Sequence, residues 1–158
     1  KLKDYSKARR YYKKAIKLKP GFTVAKYNYA YSYYKSGNKK LSVKLLNKII
    51  DKNPGFVEAK LTLGRIYLME RKHKKAILLF KKSIKENPNS IKSYYFLASV
   101  YQRMGKLNKT REYLKKVIKK FSHSKKQIVQ NYLKIVKLKL DVIEYKLKLN
   151  AKKTKKKS

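Results

Sequence analysis

The stretch VEAKLTLGRIYLMERKHKKAILLFKKSIKENPNS, running from Val57 to Ser90, decides the fold. Its large apolar residues recur at helical spacing in two runs, Val57 to Glu70 and Arg71 to Asn87. Pro88 closes the second run, because proline cannot continue a helix and pushes the residue before it toward extended backbone. The unit therefore reads as an antiparallel helix pair. Pro20, Pro54 and Pro88 are the only three prolines and stand 34 residues apart with similar sequence around each. Aligning on them gives Thr23 to Phe56, Val57 to Ser90 and Ile91 to Ser124, with coinciding apolar positions. A fixed period near 34 marks a helical array whose units bury their apolar faces on one another.

Composition sets the outer limits. The chain has 158 residues, of which 42% are hydrophobic, so it can bury a core. Forty-six basic residues against eight acidic give a net charge of +38, which attracts phosphates, anionic headgroups or acidic segments over long range. Forty of the 46 are Lys and six are Arg, whereas site-specific recognition of phosphate and base edges leans on guanidinium groups. A general bias toward Lys, Tyr, Ile and Asn, as from an AT-rich genome, is the competing source of this charge.

No cysteine is present, so no disulfide framework, thiolate metal site or cysteine nucleophile is available. Lys interrupts every apolar run, leaving none near the length of a membrane-spanning helix. The first residues, Lys1-Leu2-Lys3, lack Met and fall inside a repeat, as in a piece of a longer protein. Compartment is not set by any of this, and the cytoplasm is only a default.

The residues offer no catalytic constellation. His73 and His123 are the only two histidines, and neither has neighbours in sequence that suggest a metal site or a nucleophile-base pair. The eight acids are scattered, and five separated glycines form no phosphate loop. No catalysis, cofactor, metal or small-molecule substrate is expected.

Three in-register copies carry a resemblance. In the middle unit Leu63, Gly64, Tyr67, Ala76, Phe80 and Pro88 hold the large-small pair, Tyr, small residue, aromatic and closing Pro of the tetratricopeptide repeat, which the unit resembles. The first unit matches through Tyr29, Ala30, Tyr33, Leu46 and Pro54, with Gly37 at its internal turn. The third matches through Tyr94, Leu97, Ala98, Tyr101, Gly105 and Leu114, but Ser122 replaces the proline, which suggests that the array is closing. Upstream, Ala8, Tyr12, Ala15 and Pro20 match only the second half of a unit.

The resemblance implies an all-α, right-handed superhelical solenoid of antiparallel helix pairs. Residues 1–22 would be the second helix of a truncated repeat, and residues 23–124 three repeats (23–56, 57–90 and 91–124). From Lys125 the period changes, and Val129, Leu133, Val136, Leu140, Ile143 and Leu147 lie near one helical stripe. Residues 125–149 are therefore expected to form a capping helix over the end of the stack. The alternations Lys137-Leu138-Lys139-Leu140 and Lys146-Leu147-Lys148-Leu149 could also suit a strand or a membrane-surface helix, readings that length and helical context disfavour. The Lys-rich residues 150–158 are expected to be disordered.

In the family, first helices line a concave groove and second helices form the convex surface. Carried over, the groove lining would be Tyr27, Tyr31, Tyr34, Leu61, Arg65, Leu68, Tyr95, Ser99, Gln102 and Arg103. Tyr and Arg are the residue types from which binding hot spots are commonly built. Packing between units is the expected role of Tyr29, Tyr33, Tyr67 and Tyr101, while for Tyr27, Tyr31 and Tyr34 packing and ligand contact both stand.

The first-helix segments carry six basic and two acidic residues and the second-helix segments nineteen and three, so the charge falls on the convex side. One subclass of the family grips acidic chaperone tails with a clamp of Lys and Asn. Its five positions would hold Tyr27, Tyr31, Thr62, Lys92 and Phe96, of which only Lys92 fits. A shift of one unit recovers Asn28 but places Glu58 and Thr62 where cations are needed.

The leading expectation is a non-catalytic scaffold that takes a peptide or helix of another protein, or a neighbouring repeat, in its groove. The alternative is an electrostatic binder of nucleic acid or anionic membrane through Lys74, Lys75, Lys81, Lys82, Lys115, Lys116, Lys152 and Lys153. Its competitor is an ordinary solvated Lys surface, since no RNA-binding aromatic motif is interleaved with these residues.

Overall fold

The structure, a computed structural model, describes residues 4–155. Among the described residues there are eight α-helices and no strand. The chain divides between Lys75 and Ala76 into two compact units.

The first unit holds α1 (Tyr5–Leu18), α2 (Thr23–Lys35), α3 (Lys39–Lys52) and α4 (Val57–Met69). Each packs on the next, and α2 also touches α4. Short polar side chains start two of these helices. Asp4 accepts the backbone N–H groups of Ser6 and Lys7 at 3.1 and 2.9 Å, and Asn38 accepts that of Leu41 at 3.1 Å. The hydrogen bond from the Lys7 backbone, followed by that from the Ser6 side chain, holds the Asp4 carboxyl below its usual range.

Ahead of Pro20 and Pro54 the chain leaves helical geometry, with φ, ψ of −133°, 87° at Lys19 and −138°, 76° at Asn53. Ala30 and Leu46 are fully buried, and Leu63 and Ile66 join them in the core. Ala30 and Gly64, the small residues of the repeated large-small pair, are both buried.

The helix α5 (His73–Glu86) spans the division. The second unit continues with α6 (Ile91–Arg103), α7 (Leu107–Phe121) and α8 (Gln127–Lys155). In it, α7 packs on both α6 and α8, and α6 touches α8. Its core joins Ile91 and Ala98 of α6 to Leu114, Val117 and Phe121 of α7 and to Val129, Leu133, Val136 and Ile143 of α8. Phe80 of α5 is fully buried and stacks on Phe96 at 5.6 Å between ring centroids.

Where Ser122 replaces proline, the backbone stays helical at φ −52°, ψ −37°. The residues expected to form a disordered tail are instead helical as far as Lys155, because α8 runs unbroken through 29 residues. No Gly or Pro interrupts it, and Ala and Lys propagate a helix already nucleated upstream. Thr154 Oγ1 donates back to the carbonyl of Ala151 at 2.9 Å. Residues 156–158 of that expectation lie outside the described residues.

Candidate binding surfaces

Within the first unit, α2 presents a ladder of tyrosines toward α4. Tyr27 and Tyr31 stack at 5.8 Å, and Tyr31 meets Tyr34 at 5.8 Å with planes tilted by 50°. The spacings of three and four residues put all three on one helical face. Tyr27 also packs on Phe56 at 5.4 Å, and its hydroxyl shares a 3.0 Å hydrogen bond with Thr62 Oγ1. Burial, opposed by the Thr62 hydrogen bond, pushes the Tyr27 phenol above its ordinary pKa. At the far end Tyr34 Oη donates to Met69 Sδ at 3.5 Å, and the Arg65 guanidinium lies 5.7 Å from the Tyr34 ring centre. All four of Tyr27, Tyr31, Tyr34 and Arg65 are half-buried, so each is held in place yet keeps accessible surface.

The remaining residues expected on this face divide differently. Leu61 and Leu68, also expected as groove lining, are each only 7% exposed and are buried with the core. Phe56 and Met69, which family position does not single out, also join this face, alongside Thr62. Tyr27 with Thr62 and Tyr34 with Met69 are both 35 residues apart, so the repeat length plus one residue relates side chains that meet across neighbouring first helices. That rule was available in the period.

In the second unit α8 takes up part of the corresponding face. Tyr95 meets Tyr132 edge-on at 5.4 Å, and Lys139 Nζ lies 4.6 Å from the Tyr95 ring centre. Tyr95, half-buried like the α2 tyrosines, is thus braced by α8. Ser99 Oγ donates to the Tyr95 carbonyl at 2.9 Å and serves its own helix. Gln102 is half-buried and Arg103 is exposed at the end of α6.

The second tyrosine set faces the other way. Tyr29 and Tyr33 share a 3.1 Å hydroxyl contact and meet edge-on at 5.1 Å, with the Arg9 guanidinium 4.6 Å from the Tyr33 ring centre. Burial, reinforced by the Tyr33 hydrogen bond, pushes the Tyr29 phenol up to about 12. These residues join α1 to α2. Tyr67 lies beneath Lys72 and Lys75, and Tyr101 stacks on Tyr113 at 5.4 Å.

The lysines singled out as an electrostatic surface are all exposed. Some are engaged within the chain: Lys115 pairs with Glu144 at 3.0 Å across α7 and α8, and Lys116 pairs with Glu112 one turn away. Lys74, Lys81 and Lys82 lie on α5, while Lys152 and Lys153 lie on the last turns of α8. A cavity of about 260 Å³ in the first unit is walled by Ile16, Tyr29, Leu45 and Ile49 together with Lys26, Lys48 and Lys52. His73 is half-buried at the start of α5. Among the described residues no three His, Cys, Asp or Glu side chains gather as a metal site, and no helix is long and apolar enough to cross a membrane.

Paired helices repeating at 34 residues define a helical-repeat protein. A family model described as "Tetratricopeptide repeat" matches residues 1–55, and one described as "Anaphase-promoting complex, cyclosome, subunit 3" matches residues 43–117. The chain is a member of the tetratricopeptide-repeat family. A comparison with curated protein sequences found no match.

Solved structures share the fold. MamA of Desulfovibrio magneticus RS-1 is 24% identical, with 79% of this chain and 71% of that one covered and a TM-score of 0.68. The type III secretion chaperone SycD of Yersinia enterocolitica, in complex with a peptide of the translocator YopD, is 16% identical over 77% of this chain and 91% of that one, with a TM-score of 0.70. A protein of Thermus thermophilus described as a thermophilic TPR protein is 18% identical over 88% of this chain and 76% of that one, with a TM-score of 0.69.

Proposed function

We propose that this chain is a non-catalytic scaffold that binds a peptide or helix of a partner protein on the tyrosine face of α2, with Tyr31, Tyr34 and Arg65 as anchors. The observation that carries the reading is the half-buried ladder itself. Tyr31 and Tyr34 support one another through ring contacts, and Arg65 extends the ladder with a planar donor group. Rings held in this way lose little side-chain freedom on binding, which is how a few residues come to dominate an interface. The SycD complex with a YopD peptide gives a fold relative that uses such a module for peptide binding. Tyr27, tied to Thr62, acts as the support at the base of the ladder.

The test begins with peptides selected from a random display library against the full chain at moderate salt. Their affinities are then measured for the wild type and for a Tyr31→Ala, Tyr34→Ala, Arg65→Ala variant. The expected result is a loss of roughly tenfold or more with unchanged helical circular dichroism. Peptides held equally well by the variant would overturn the reading. Binding that collapses steeply with salt for any anionic ligand would favour the electrostatic alternative instead.

A further inference from the structure

The helix α8 carries two apolar stripes. One is buried in the second unit through Val129, Leu133, Val136 and Ile143. The other consists of Ile128, Ile135, Leu138, Val142, Tyr145 and Leu149, which are between 38 and 68% exposed. Their spacing of seven, three, four, three and four residues is a heptad seam, with Ile128, Ile135, Val142 and Leu149 at one core position and Leu138 and Tyr145 at the other. Within its unit α8 lies on α7 and against α6, and the exposure of the outer stripe sets it apart from the buried stripe that makes the unit's core.

We infer that this seam docks an amphipathic helix of a partner protein, apolar at its heptad core positions and acidic on both flanks. The flanks of α8 state the charge. At the positions bordering the seam stand Lys134, Lys139, Lys146 and Lys148, with Asp141 the sole acid among them. Lys139 leans over Tyr95, and the other three lysines are exposed. A facing helix with Glu or Asp there complements them, because these are the positions that set partner choice. A second copy of this chain would instead set Lys mostly against Lys in either orientation and bring together two chains of net charge +38. A helix lying on a membrane needs a broad apolar face, whereas this one is a narrow seam of two positions in seven.

The probe is a labelled synthetic peptide of about three heptads with Ile and Leu at the core positions and Glu on both flanks. Its own carboxylates keep it from pairing with itself. Fluorescence anisotropy on the full chain should show saturable binding that the neutral, surface-located changes Leu138→Gln and Val142→Gln weaken roughly tenfold or more. The Tyr31, Tyr34, Arg65 variant should bind this peptide as the wild type does, so this inference and the α2 reading fail separately. Four results would overturn it: equal binding of a scrambled peptide of the same composition; no effect of the two glutamines; a dimer in sedimentation that the two glutamines dissolve; or flotation with phosphatidylserine vesicles that depends on Leu138 and Val142 while the peptide goes unbound.

Discussion

Arg71 holds a backbone geometry that suits it poorly. The first-to-second helix turn places one residue in the left-handed region in each repeat, with φ of 89° at Gly37, 57° at Arg71 and 71° at Gly105. The geometry is imposed by hydrogen bonds that close the helix end: Lys72 N–H reaches the Tyr67 carbonyl at 2.8 Å, and Lys106 N–H reaches that of Tyr101 at 3.0 Å. A side chain in this region costs about 1–2 kcal/mol, offset in part by the extra unfolded-state entropy of glycine. Arg71→Gly is therefore expected to stabilise the chain by roughly 0.5–1 kcal/mol. Gly105→Ala should destabilise it by about 1 kcal/mol although its Cβ would meet nothing within 4 Å. Urea unfolding followed by circular dichroism measures both, and a lower midpoint for Arg71→Gly would contradict the argument. The two glycines were legible in the sequence because glycine is the residue such turns favour. Arg71 was not, since only its register, 34 residues from Gly37, betrays it.

At the scale of one element, α8 separates what a single stripe predicts from what a helix does. Val129, Leu133, Val136, Leu140, Ile143 and Leu147 were readable as an inward face because they follow helical spacing, and all are buried or half-buried. The outer seam is hidden in the sequence because Lys137, Lys139, Lys146 and Lys148 break it up when residues are read in order. Charge alone predicts disorder for the Lys-rich end, which neglects that extending a nucleated helix costs far less than starting one. In the same way, family position places Leu61 and Leu68 on the groove side, but how deeply they are buried depends on neighbours distant in sequence. The two faces of α8 make opposite demands on substitution. Ile143→Ala, at 0% exposure, should cost about 2–4 kcal/mol, whereas Leu138→Ala, at 68%, should cost within roughly 0.5 kcal/mol. Equal losses in denaturant unfolding of the unliganded chain would mean that the outer seam is already covered.

For the molecule as a whole the controlling fact is that eight acids cannot neutralise 46 cations. The ion pairs of Lys72 with Glu70, Lys115 with Glu144 and Lys116 with Glu112 lie at the surface and each contribute little. The unpaired excess repels itself, and folding concentrates it. Screening shortens the reach of that repulsion to about 10 Å at 0.1 M salt and about 3 Å at 1 M. The stability of the chain should therefore rise with ionic strength: between about 0.02 and 0.5 M sodium chloride a gain on the order of 1 kcal/mol corresponds to a Tm several degrees higher. Most proteins with balanced surfaces lack so one-sided a response, and stabilising surface pairs would give the opposite slope. Thermal unfolding at stepped salt concentrations measures it directly. A falling Tm would show that exposed ion pairs outweigh self-repulsion. A rising one, together with peptide binding on α2 that persists across the same steps, would assign the charge to the energetics of the fold and partner recognition to the aromatic face.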